Sequence, residues 1–114
     1  MSIAITCHNT AFGTAGQIDP SHLVDIAAQG YKSVINNRPD GEAGPSQPKN
    51  ADIAAQAAAL GLQYAYLPVA PSAMTPAEVQ EMSRLLKTMP GPILAFCRSG
   101  ARSTNLYHLA LQLG

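Results

Sequence analysis

The chain has 114 residues, a formal charge of zero and an apolar share of 46%, enough for one hydrophobic core but not two. No basic excess speaks for nucleic acid, no apolar run approaches the about 20 residues that cross a bilayer, and no charged N-terminal region precedes a long apolar segment as in a signal peptide. Two cysteines, Cys7 and Cys97, make no disulfide framework, so one domain over 1–114 in the reducing cytoplasm is expected.

Residues 3–6 read as a short strand, followed by Cys7 and His8, and residues 13–18 form a second extended piece. His22 and His108 stand alone, so neither a metal site nor any other cofactor is expected. Asp19 and Pro20 open a helix as N-cap and first helical residue, with Leu23, Ile26 and Ala27 inward and Gly30 at its end. Residues 31–36 read as a central strand. The polar loop from Asn37 to Lys49 is long for so small a domain, and it carries Arg38, Asp40 and Glu42 as possible contributors to a site. Asn50 is expected to cap a helix over 51–60, and residues 63–69 read as a further strand leading into a 68–74 loop. Thr75 and Glu78 form a capping box for a helix to about Thr88, whose core stripe is Val79, Met82 and Leu86.

After the breaker Met89-Pro90-Gly91-Pro92, the apolar run Ile93 to Phe96 stops at Cys97. Leu106, Leu109, Ala110 and Leu113 then recur at helical spacing. Strand, tight loop and helix aim backbone N–H groups at one spot and add the positive end of a helix dipole. A cysteine at the start of such a loop should have a lowered pKa. Arg98 and Arg102 bring planar forks for a tetrahedral oxyanion, and Gly100 permits a positive-φ turn. A buried structural thiol has no use for either arginine. The expected site is Cys97 as nucleophile with Arg102, and an anion seat built from Arg98, Ser99, Gly100, Ala101 and Ser103. Strands and helices alternate, giving an α/β fold whose central, mostly parallel sheet is flanked by helices on both faces.

The loop resembles two related signatures, those of cysteine-based phosphatases and of rhodanese-type sulfurtransferases. Phosphatases place five residues between Cys and Arg, whereas four separate Cys97 from Arg102, as in the sulfurtransferase form. The His that commonly precedes a phosphatase cysteine is Phe96 here. Phosphate-ester cleavage must also protonate its leaving alkoxide. The 68–74 loop, where the related fold carries its acid, contains no carboxylate; Asp40 or Glu42 would have to substitute.

Over nearly its whole length the chain resembles the beta-lactamase-hydrolase-like, phosphatase-like domain family. The resemblance is carried by Gly16-Gln17-Ile18, by residues 30–42 with Asn36-Asn37-Arg38-Pro39-Asp40-Gly41-Glu42, by Gln47-Pro48 and Tyr66-Leu67-Pro68-Val69, and by Cys97-Arg98-Ser99-Gly100-Ala101-Arg102-Ser103. It implies a cysteine-phosphatase-like three-layer sandwich. Members occur alone or fused to a metallo-β-lactamase-type persulfide dioxygenase, and have been described both as sulfurtransferases and as phosphatases. They usually run past the last helix, so this chain is expected to be compact or truncated at Leu113-Gly114.

Loop length and the missing acid together favour a sulfurtransferase. Cys97 would take the outer sulfur of thiosulfate or of a small persulfide, and a thiol or cyanide would accept it from a Cys97 persulfide. Ser99 and Ser103 are expected to donate hydroxyl hydrogen bonds to the thiolate. The partners are then a small anionic sulfur donor, a thiol acceptor and such a dioxygenase. The first alternative is a phosphatase using the same cysteine; a further one is a non-catalytic anion-binding or thiol-sensing module.

Overall fold

A computed structural model describes residues 4–71 and 74–113. Ile3 of the expected first strand and Ser72 and Ala73 of the 68–74 loop lie outside the described residues. Strands β1 (Ile5–Asn9) and β2 (Phe12–Ala15) are followed by a 3-10 turn at Pro20–His22 and helix α1 (Leu23–Ala28). Strand β3 (Ser33–Asn36), helix α2 (Asn50–Ala59), strand β4 (Gln63–Tyr66), helix α3 (Pro76–Thr88), strand β5 (Ile93–Phe96) and helix α4 (Ala101–Gln112) complete the order.

The sheet runs β1-β2-β5-β3-β4. Strands β2, β5, β3 and β4 are parallel, and β1 folds back on β2 as an antiparallel edge. Strand β5, last in sequence, therefore sits in the middle. Strands β3 and β5 are buried throughout, which is why their apolar runs are continuous rather than alternating. Successive residues still point to opposite faces. Ile93 and Ala95 join Ile35, Met82, Leu85, Leu106 and Ala110 in the core under α3 and α4. Leu94 and Phe96 join Val34, Leu23, Ile26, Ile53 and Ala57 under α1 and α2. Where length led to the expectation of one core, the sheet divides the interior into two clusters, one on each face, and these make the three-layer sandwich.

Several expected elements shift. The extended piece at 13–18 is the shorter β2, and the helix expected from Pro20 begins properly at Leu23. Before it, Asp19 N–H donates to His22 Nδ1 at 2.9 Å and the Ser21 hydroxyl to Asp19 Oδ2 at 3.0 Å. Asn50 does not cap α2 but is its first residue, because its Oδ1 accepts the Tyr64 hydroxyl at 2.6 Å. In α4 the buried stripe is Arg102, Ser103, Leu106, Tyr107 and Ala110, while Leu109 and Leu113 are 39% and 53% exposed. The first turn of α4 fixes this phase. Turning Arg102 and Ser103 inward carries positions 106, 107 and 110 inward with them at 3.6 residues per turn. The capping box of Thr75 and Glu78 forms as expected.

Candidate active site

Four parallel strands end on the same edge, so the segments after β2, β5, β3 and β4 converge there. Gln17 N–H donates to Arg98 O at 3.2 Å, Asn37 N–H to Phe96 O at 2.9 Å and Val69 N–H to Asn37 O at 3.1 Å. Gly16 lets the first of these segments approach: a Cβ on it would lie 3.0 Å from Arg98 O. The loop after β5 is thus held by backbone hydrogen bonds to its neighbours.

Cys97 is 1% exposed, and its Sγ accepts the Gly100 N–H at 3.1 Å. Gly100 has φ +94°, a left-handed conformation costly for any side chain, and it is the residue from which α4 starts. Burial alone would push the thiol up. Hydrogen bonds from the Ser103 N–H and hydroxyl and from the Ser99 and Gly100 N–H groups outweigh it and hold Cys97 below the ordinary thiol range. The Ser103 hydroxyl has one proton, however, and gives it to Asn37 Oδ1 at 2.8 Å. Its help to the sulfur needs a turn of that proton, so the backbone donors are the constant part. The Ser99 hydroxyl accepts from Ala101 N–H at 3.4 Å instead of donating to the thiolate.

Arg102 is 9% exposed and is clamped by Glu42: Nη1 donates to Oε2 and Nη2 to Oε1, both at 3.0 Å. Nη1 also reaches Val69 O at 3.0 Å. Arg38, buried as well, donates from Nε to Glu42 Oε1 at 2.9 Å and from Nη1 to Gln17 Oε1 at 3.1 Å. The Arg102 guanidinium, assisted by Arg38 and against partial burial, holds the Glu42 carboxyl below the usual carboxylate range. A carboxyl so held stays ionised and is no proton donor at neutral pH. Asp40 is not in the site. Its Oδ1 accepts Asn50 N–H at 2.7 Å and its own N–H goes to the Tyr66 hydroxyl at 2.9 Å, which turns it toward α2.

Two adjoining clefts open on this edge. One, of about 250 Å³, includes Cys97, Ser99 and Ala101 in its wall; the other, of about 300 Å³, includes Arg38, Glu42 and Ala43. Pro71, Arg98 and Arg102 line both, and Arg98 is solvent-exposed. Reading the sequence misses Asn37, which is fully buried and ties Ser103 to Leu67 O, and Gln17, which orients Arg38. Two asparagines ending an apolar strand were the available signal, since a buried amide there must serve some partner.

The sequence profile described as "Beta-lactamase hydrolase-like protein, phosphatase-like domain" matches residues 5–113. A beta-lactamase hydrolase-like protein of Xylella fastidiosa is 38% identical over 102 residues, covering 90% of this chain and 23% of its own length. One from Agrobacterium fabrum is 37% identical over 101 residues, covering 89% and 23%. The chain thus spans about a quarter of these curated relatives. Among solved structures, a candidate phosphatase from Neisseria meningitidis superposes with TM-score 0.82 at 29% identity, over 90% of this chain and 72% of that one. The core catalytic domain of a PP-IP phosphatase from Saccharomyces cerevisiae, in complex with citrate, shares the fold at TM-score 0.66 and 10% identity, over 91% and 64%. Fold, cysteine loop and sequence agree on one assignment: this chain belongs to the phosphatase-like domain family of the beta-lactamase hydrolase-like proteins.

Proposed function

We propose that the domain is a cysteine-dependent phosphatase for groups whose leaving oxygen departs without a proton. The observation that carries this is Cys97 Sγ at the C-terminal end of the central strand, taking the Gly100 N–H at 3.1 Å in a fold shared with phosphatases. The thiolate attacks phosphorus, the S–P bond forms, and the P–O bond to the leaving group breaks. Loop N–H groups, the α4 N-terminus and Arg98 and Arg102 meet the charge that builds on the phosphoryl oxygens. Water then attacks the phosphocysteine and the thiolate returns. Asp40 is turned away and Glu42 is ionised, so an alkoxide would find no proton donor among these carboxylates, whereas an aryl oxide or a phosphate needs none.

The test is an aryl phosphate assay with Cys97→Ser beside the wild type. Phosphate release by the wild type and its loss in the variant, with a phosphoryl group trapped on Cys97 in acid-quenched protein, are the expected results. No release, or release undiminished in Cys97→Ser, rejects the reading.

A second reading keeps the same nucleophile and replaces phosphorus by sulfane sulfur. The four-residue spacing between Cys97 and Arg102 favours it, as does the want of an acid. Thiosulfate treatment would then leave one added sulfur on Cys97, and sulfite would depart as an anion. A thiol acceptor and a persulfide dioxygenase partner belong to this reading.

A further inference from the structure

We propose that the cleft beside Cys97 is a seat for a second anionic group of the substrate, which makes that substrate a phosphoanhydride. Its terminal phosphoryl lies over Cys97 and the adjoining phosphate lies against Arg38 and Arg98. The inference rests on the phosphatase reading and deepens it.

Charge is the first support. The cleft gathers three guanidiniums, Arg38, Arg98 and Arg102, against the single carboxylate of Glu42. A structural ion pair would be balanced; burying two arginines on one carboxylate leaves positive charge that only an anion can answer. Unspent donors are the second support. Arg102 Nε is buried with no hydrogen-bond partner among the described residues, and Arg38 spends Nε and Nη1 on Glu42 and Gln17 while its Nη2, which is not a buried atom, has no partner among them. A buried donor such as Arg102 Nε is seldom left so, and the Arg38 Nη2 is free to meet a ligand oxygen.

The shared wall is the third support. Pro71, Arg98 and Arg102 face both clefts, so a group bound over Cys97 has its neighbour in the arginine-lined one. The chemistry of departure agrees. Cys97 Sγ bonds to the terminal phosphorus, the bridging P–O bond breaks, and its electron pair leaves on the second phosphate, already stabilised by Arg38 and Arg98. No protein proton is spent. The later attack of water restores the thiolate and releases its proton to solvent.

Inorganic pyrophosphate and orthophosphate are the probes, titrated calorimetrically into the Cys97→Ser protein, which binds without turnover. Pyrophosphate should bind at least about tenfold more tightly, as expected for one or two added charge-assisted hydrogen bonds. Adding Arg38→Gln should cut that preference to about threefold or less. If Arg38→Gln lowers the melting temperature too far, Arg98→Gln, at an exposed position, gives the same reading. Equal affinity for the two anions, or a preference unchanged in both arginine variants, overturns the seat. The phosphatase reading fails separately: a wild type inert on aryl phosphate, with the pyrophosphate preference intact, keeps the seat and discards the chemistry. Aryl phosphate turnover with equal anion affinities does the reverse.

Discussion

Glu42→Gln probes the clamp around which the arginines are arranged. Glu42 accepts three charge-assisted hydrogen bonds at 2.9–3.0 Å, two from Arg102 and one from Arg38. The glutamine keeps one acceptor oxygen and sets an NH2 against a guanidinium, donor facing donor. It also leaves two buried cations without their counter-charge. Breaking a buried pair this way costs about 3–5 kcal/mol; the carboxylate is 18% exposed, so solvent screening argues for the lower end. At about 3 kcal/mol the melting temperature of a domain this size falls on the order of 10 °C. The pH dependence follows from the sign of the shift. Glu42 is more acidic folded than unfolded, so its contribution is whole above the unfolded value and fades as pH falls through the folded one. The gap between wild type and variant should therefore be full at neutral pH and shrink below about pH 4.3. Thermal melts followed by circular dichroism from neutral to acid pH measure both. A neutral-pH difference under about 1 kcal/mol, or one that does not change on acidification, refutes the clamp.

Two further outcomes concern Cys97. Because Cys97 sits below the ordinary thiol range, its alkylation by iodoacetamide, followed by peptide mass spectrometry, should have its midpoint below about pH 8.5. A midpoint at or above that value contradicts the hydrogen-bonded thiolate. Gly100→Ala forces a side chain into φ +94°, which should cost about 1–2 kcal/mol of stability and move the Cys97 midpoint upward as the N–H loses its aim. Unchanged melting and alkylation would show that the loop tolerates the strain.

Reading along the chain singles out Cys97 and its loop because everything that marks them is contiguous. The apolar run of β5, Cys97, the positive-φ Gly100 and the start of α4 lie within a dozen residues, and each is a local property of backbone or polarity. The capping box at Thr75 and Glu78 is legible for the same reason. The α4 face was not. Leu109 and Leu113 fit a helical stripe as well as Leu106 does, and only the inward turn of Arg102 and Ser103 chooses between the two phases.

Composition and spacing by themselves determined the fold class, the thiol and the loop that surrounds it, since hydrophobic period and turn chemistry act between near neighbours. What Arg102 holds is settled by a residue 60 positions away, and the same carboxylate engages Arg38 from within its own loop. Asp40 and Glu42 look equivalent as letters. One accepts the first N–H of α2 and the other bridges two arginines, because within the one loop after β3 Asp40 turns to Asn50 and Tyr66 while Glu42 turns to Arg38 and Arg102. Side-chain direction and long-range charge pairing arise from packing, and they exist only once the layers have closed.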